Sequence, residues 1–270
     1  MALLLGPSSV RAQRTAQGGP EAPASFTVES LALEMRWIAP GTFTMGSAPG
    51  AGNADEHPAT EVTLTRPYWL GSTEVTQAQW RAVMGNNPSY FRGANRPVEQ
   101  VRWTEAMAFC EKLTERERAA GRLPAGYVYT LPTEAQWEYA CRAGTAGVFA
   151  GDLDAMAWYH ETAGYQTHAV GLKAPNAWGL HDMHGNVYEW TLDRYGNYPG
   201  GRVTDPARTN GGVGHVFRGG SWGSVAGICR SALRWYEPGR GRWLDVGFRV
   251  ALTALPSTDA SGSTTAAPGP

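Results

Sequence analysis

The chain has 270 residues, 42% of them hydrophobic, which is enough to close one sizeable core, and the length is read as a single domain. Its 23 lysines and arginines are set against 24 aspartates and glutamates, so the basic excess that nucleic acid or an anionic membrane would demand is missing. The 34 glycines and 18 prolines follow no period, which excludes a collagen or a repeat array, and no apolar run reaches the length of a membrane span.

The opening MALLLGPSSVRAQ has neither the basic start nor the full apolar centre of a secretion signal. A cytoplasmic address is the default expectation, and a secreted or surface address follows if the start is truncated. Residues 1–25 and 253–270 are small, polar and proline-bearing, and are expected to be disordered. The folded domain is placed at residues 26–252.

From Met35 to Met45 apolar residues alternate with small or polar ones around Pro40-Gly41, a strand or hairpin signal, and residues 61–70 repeat the pattern. Thr76 and Gln79 match a capping box, in which a hydroxyl takes one free helix N–H and the amide three residues on returns the bond. The helix it opens carries Trp80, Val83 and Met84 on one face and should stop near Gly85. A second helix beginning at Thr104 aligns Ala106, Phe109, Cys110 and Leu113 before Gly121. Thr133 and Gln136 announce a third, with Trp137, Ala140 and Cys141 inward and Gly144 as its end. After Gly144 no helical period survives. Helices first and glycine-punctuated short strands later define an α+β class, with Trp80, Trp103, Trp137 and Trp190 read as core wedges.

The stretch over residues 218–250, RGGSWGSVAGICRSALRWYEPGRGRWLDVGFRV, is bounded by two segments that read as strands entered through glycine. Between them, strand alternation puts Arg230, Ala232 and Arg234 on one face and Ser231, Leu233 and Trp235 on the other. The candidate ligand-binding residues are Gly223, Ser224, Val225, Ile228, Leu233, Trp235, Tyr236, Arg240, Arg242, Trp243, Leu244 and Asp245. Rigid aromatics mixed with arginine and small polar residues compose a recognition surface for a protein or other surface ligand. The competing reading makes them filler for an irregular core.

Nine ordered blocks carry a family resemblance. They are TFTMG from Thr42, EVTQAQW from Glu74, NPS from Asn87, PVE from Pro97, LPTEAQWEYA from Leu131, PNAWGL from Pro175, GNVYEW from Gly185, and the RGGSW and GFRV ends of the late stretch. The chain resembles formylglycine-generating enzyme and its sulfatase-modifying-factor relatives. That resemblance implies a C-type lectin fold of the formylglycine-generating-enzyme type. Some relatives are copper-dependent oxidases, some are iron-dependent sulfoxide synthases and some bind ligands. Within the family the chain is similar to the variable proteins of diversity-generating retroelements, which implies a frame at residues 218–222, 230–232, 234 and 247–250 around a diversified binding segment.

The oxidase branch implies two cysteines, five residues apart, just after the glycine-glycine-serine strand, because copper(I) is soft and takes thiolates. Ser224 stands where the first would fall and Cys229 where the second would, in a loop shorter than that of the enzymes. This weighs against an enzyme. A metal-dependent oxidoreductase acting on a cysteine or thiol substrate is the alternative, and a self-associating assembly protein is a third reading. Relatives also use cysteines at the places of Cys110 and Cys141 in disulfides, and a bridge from Cys141 to Cys229 is one expectation. His181 and His184 with Asp182 are read as hydrogen-bonding groups in a loop rather than metal ligands. Asn186, Val187 and Glu189 are open to two readings. One is a calcium site implied by the relatives' matching turn. In the other, Asn186 caps a turn and Glu189 pairs with an arginine such as Arg218 or Arg230.

Overall fold

The computed structural model describes residues 25–255, so nearly all of the two segments expected to be disordered lies outside the described residues. The chain opens with β1 (Phe26–Val28), β2 (Leu33–Ile38), β3 (Gly41–Met45), β4 (Thr60–Leu64) and β5 (Tyr68–Gly71). Helices α1 (Gln77–Met84) and α2 (Trp103–Ala119), strand β6 (Tyr127–Thr130) and helix α3 (Glu134–Arg142) follow. Later come β7 (Tyr188–Arg194), β8 (Arg202–Thr204), β9 (His215–Arg218), β10 (Arg234–Glu237), β11 (Val246–Gly247) and β12 (Ala251–Ala254). The last strand therefore runs two residues beyond the expected end at Leu252. Among the described residues no helix is long and apolar enough to cross a membrane.

Both capping boxes form. Gln79 N–H donates to Thr76 Oγ1 at 3.2 Å and Thr76 N–H to Gln79 Oε1 at 2.9 Å; the Thr133 and Gln136 pair repeats this at 3.1 and 2.9 Å. Gly85 ends α1 in the left-handed region at φ 80°. The left-handed cap of α3 is Ala143 rather than Gly144, and after it the described residues form an α-helical turn, Leu153–Met156, and a 3-10 turn, Ala226–Ile228, both too short to show a period.

Three sheets assemble, ordered β1-β2-β5-β12-β6, β10-β9-β7-β11 and β3-β4-β8. The expected pairing around Pro40-Gly41 is thus two strands but no hairpin: β2 pairs with β5 and β3 with β4, and the turn carries the chain from one sheet to another. The five-stranded sheet is covered on both faces. On one, Trp80 of α1 stacks on Phe109 of α2 with centroids 5.7 Å apart, and Phe248 meets Phe109 edge-on at 5.4 Å. On the other, Trp137, Ala140 and Cys141 of α3 pack with Ile38, Tyr68 and Leu70. Each such fully buried large side chain contributes about 1.5–3 kcal/mol through lost apolar exposure. Trp80, Trp137 and Trp190 are buried and Trp103 is partly buried against the same core.

The candidate ligand-binding surface

The late stretch departs from its expected strands. Strand β9 ends at Arg218, and Gly219 and Gly220 then turn the chain at φ 100° and 76°. A Cβ on Gly220 would lie 2.6 Å from Cys229 Sγ, so only glycine lets the two legs of the loop close on each other. Ser224 N–H donates to Ser221 O at 3.0 Å and Ser221 N–H to Ser224 Oγ at 3.0 Å, which closes the turn. At the far end only Val246 and Gly247 pair as a strand, in parallel with β7, and residues 248–250 run as connecting backbone into β12. Residues 230–233 form a turn, so the alternation expected from Arg230 to Trp235 does not hold.

Ion pairs replace it. Arg230 reaches Glu56 with both guanidinium nitrogens, at 2.6 and 2.7 Å. Arg234 grips Glu134 of α3 at 2.8 and 2.6 Å, donates to Gly196 O at 2.8 Å, and lies over the rings of Tyr195 and Tyr198. Arg218, fully buried, pairs with Glu138 of α3 and also donates to the carbonyls of Ser231, Ala232 and Leu233. Burial alone would raise the Glu56 carboxyl, but the Arg230 guanidinium and the Ser47 hydroxyl hold it below the usual range. These carboxylates were not among the candidate residues. The glutamates of the helix-opening TEAQWE run were the available signal, since a charged residue on an inward helical face requires a partner.

Above this frame the side chains face out. Trp235 is 46% exposed, Tyr236 43%, Trp243 50%, Leu244 39% and Val225 53%. Gly223, Arg240 and Arg242 are also exposed, and Ile228 and Asp245 are half-buried. Two candidates belong to the interior instead. Leu233 is sealed because Arg218 draws its carbonyl inward, and Ser224 is buried with its hydroxyl donating to Tyr188 Oη at 3.2 Å. Tyr236 stacks on Tyr195 at 4.0 Å, Trp222 meets Phe91 edge-on at 5.4 Å, and Gln100 N–H donates to Trp243 O at 2.9 Å, so the surface is anchored at several points.

The residues fit neither copper(I) nor calcium. Copper(I) would require two thiolates, but Ser224 offers a committed hydroxyl, and burial pushes the Cys229 thiol up to about 12. Calcium would require uncommitted oxygens. Both oxygens of Glu189 take Arg249 at 2.6 Å, one also accepts from Trp137 Nε1 at 2.8 Å, and a second cation beside that guanidinium is disfavoured. The arginine partner of Glu189 is thus Arg249, not Arg218 or Arg230. Asn186 Oδ1 accepts from His168 N–H at 2.9 Å, its backbone N–H donates to Trp158 O at 2.7 Å, and its carbonyl accepts from Trp222 N–H at 2.8 Å, so it braces three loops. Val187 is buried in the core.

His184, buried, donates from Nδ1 to Cys229 O at 2.8 Å and accepts at Nε2 from Ala150 N–H at 3.1 Å; burial pushes it down to about 4, so it is neutral. His181 donates from Nδ1 to Lys173 O at 2.8 Å. Cys110, Cys141 and Cys229 are all buried free thiols, so the Cys141–Cys229 bridge is not formed.

Comparison with known proteins agrees with this architecture. Residues 21–254 match the sulfatase-modifying factor enzyme 1-like domain. Treponema denticola variable protein 1 is 32% identical and superposes with a TM-score of 0.76 over 86% of this chain and 98% of that one. PvdO from Pseudomonas aeruginosa is 26% identical, with a TM-score of 0.75 over 87% of this chain and 99% of its own. Formylglycine-generating enzyme of Mus musculus is 30% identical over 220 residues, 74% of this chain; the chain spans about half that relative's length, 55%. The fold is the C-type lectin fold of formylglycine-generating-enzyme-like proteins, and the chain belongs to the sulfatase-modifying factor family.

Proposed function

We propose that this chain is a ligand-binding protein that engages a partner through the exposed side chains of residues 223–245, in the manner of a variable protein of a diversity-generating retroelement. The observation that carries the reading is the half exposure of Trp235 and Trp243 directly beside a buried arginine frame. Aromatic side chains supply large contact area at small conformational cost, and their retention at a surface is favoured where a partner covers them. The likeness to a variable protein across most of both chains supports the same conclusion. A copper-dependent oxidation of a thiol substrate lacks its second sulfur at Ser224.

Sister copies of the coding sequence from the same locus test the diversification. Differences confined to residues 223–245, with Arg218, Arg230, Arg234 and Gly247 unchanged, are expected. Differences scattered through the helices would overturn it.

A further inference from the structure

Near Trp243, whose indole lies against Gly241, a recess of about 390 Å³ opens off the end of β10. Its floor is the indole of Trp103 stacked on the imidazole of His215, with centroids 3.7 Å apart and planes 13° from parallel. Gly239 seals one side, since a Cβ there would sit 3.1 Å from His215 Cδ2. Arg102 and Arg240 line the mouth.

The charges around this recess do not balance. Arg242 is committed to Glu105 at 2.5 Å and to Gln100 O at 2.7 Å. The Glu237 carboxylate is taken by the N–H groups of Gly239 and Gly241, at 2.7 and 3.1 Å. Arg102 spends only Nε, on Arg240 O at 3.0 Å, and the Arg240 guanidinium has no partner among the described residues. His215 adds nothing to offset or increase the charge, because burial and then Arg194 push it down to about 4. Arg102 also stands at the positive end of the 17-residue α2. Three arginines thus face the carboxylates of Glu105 and Glu237, an excess of one positive charge, and the Arg102 and Arg240 guanidinium groups, neither with a carboxylate partner of its own, flank an aromatic-floored hollow on a chain whose net charge is −1. A planar fork of N–H donors at each side, with a partly desolvated floor between, is complementary to a carboxylate.

We propose that the partner is a protein that places an aspartate or glutamate side chain between Arg102 and Arg240 while its apolar surface covers Trp235 and Trp243. This rests on the reading of residues 223–245 as a binding face and adds the charge of what binds there.

The test is selection of a random phage-displayed peptide library on the folded chain, followed by affinity measurement of the enriched peptides against variants. Peptides that depend on Trp235 and Trp243 should contain Asp or Glu, should weaken about tenfold against R102Q/R240Q, and should weaken as salt rises. R240K, which keeps the charge but not the fork, should weaken binding less than R240Q without restoring it fully. Changing the acidic residue of the peptide to its amide should cost about as much as R102Q/R240Q, with no further loss when the two are combined. Circular dichroism of each variant confirms that the fold is kept. Peptides that need the tryptophans but carry no acid and ignore R102Q/R240Q would overturn the carboxylate site and leave the binding face standing. Binders indifferent to both the arginines and the tryptophans, or no enrichment at all, would overturn both.

Discussion

Residues 230–234 and residues 235–244 are neighbours in the chain and opposites in the structure. In the first, Arg230 and Arg234 are held by Glu56 and Glu134, and Leu233 is sealed. In the second, Trp235, Tyr236, Trp243 and Leu244 face solvent. The boundary falls between two consecutive residues of β10, since Arg234 is 2% exposed and Trp235 46%. The placement of the segment is thus carried beneath it by long-range ion pairs and glycine turns, while the indoles of Trp235 and Trp243 stand largely outside that frame.

The sharpest way to break the contrast is Glu138→Ala. It leaves the buried Arg142 without its carboxylate and the buried Arg218 with only the more distant Glu134, at 3.8 Å, and should cost about 3–5 kcal/mol in chemical denaturation. Gly220→Ala comes next, at about 1–3 kcal/mol, because the new Cβ meets Cys229 and φ there is 76°. Combining it with Cys229→Ala should recover part of that loss, and a midpoint that does not move would break the account of the turn.

The pH dependence of the urea midpoint sharpens the contrast further, since every strongly shifted group cited here belongs to the interior. Burial pushes Asp193 up to about 6 and Glu99 up to about 7, and raises Glu74 and Asp182 as well. The native state holds these protons more tightly than the unfolded chain, so stability falls as pH climbs from about 4 to about 7. His184 and His215 are pushed down to about 4, so the unfolded chain takes up protons first and stability also falls as pH drops from about 6.5 toward 4. The two effects oppose one another in the same window, and four raised carboxyls outnumber two lowered imidazoles, so a net fall in stability as pH rises from about 4 to about 7 is expected, and D193N should make it less steep.

Least affected should be W235A/W243A. Half-exposed side chains contribute little to the fold, so each change should cost no more than about 1 kcal/mol while abolishing capture of peptides selected on the surface. A cooperative loss of structure in that variant would place the two tryptophans in the frame after all.

The helices were legible because their signals are local: Thr76 with Gln79 and Thr133 with Gln136 lie within one turn of the bonds they make. The α+β class and the exposure of Trp235 and Trp243 followed from composition and position. Sheet membership was not legible at Pro40-Gly41, because the partners of β2 and β3 are set by different distant strands. Neither were the carboxylate partners. Arg230 and Glu56 are 174 positions apart and Arg234 and Glu134 are 100, and no short-range pattern encodes such a pairing. The same distant bonds cancelled the strand alternation and drew Leu233 inside, which a period of two could not foresee.

The strand nearest the chain's end is enclosed, with β5 on one side and β6 on the other. Because β12 lies downstream of residues 223–245, any insertion there that shifts the reading frame deletes the strand that joins β6 to the rest of the five-stranded sheet. A sequence change within residues 223–245 is therefore compatible with this fold only when the reading frame downstream is kept, which ties any alteration of the outward face to an intact β12.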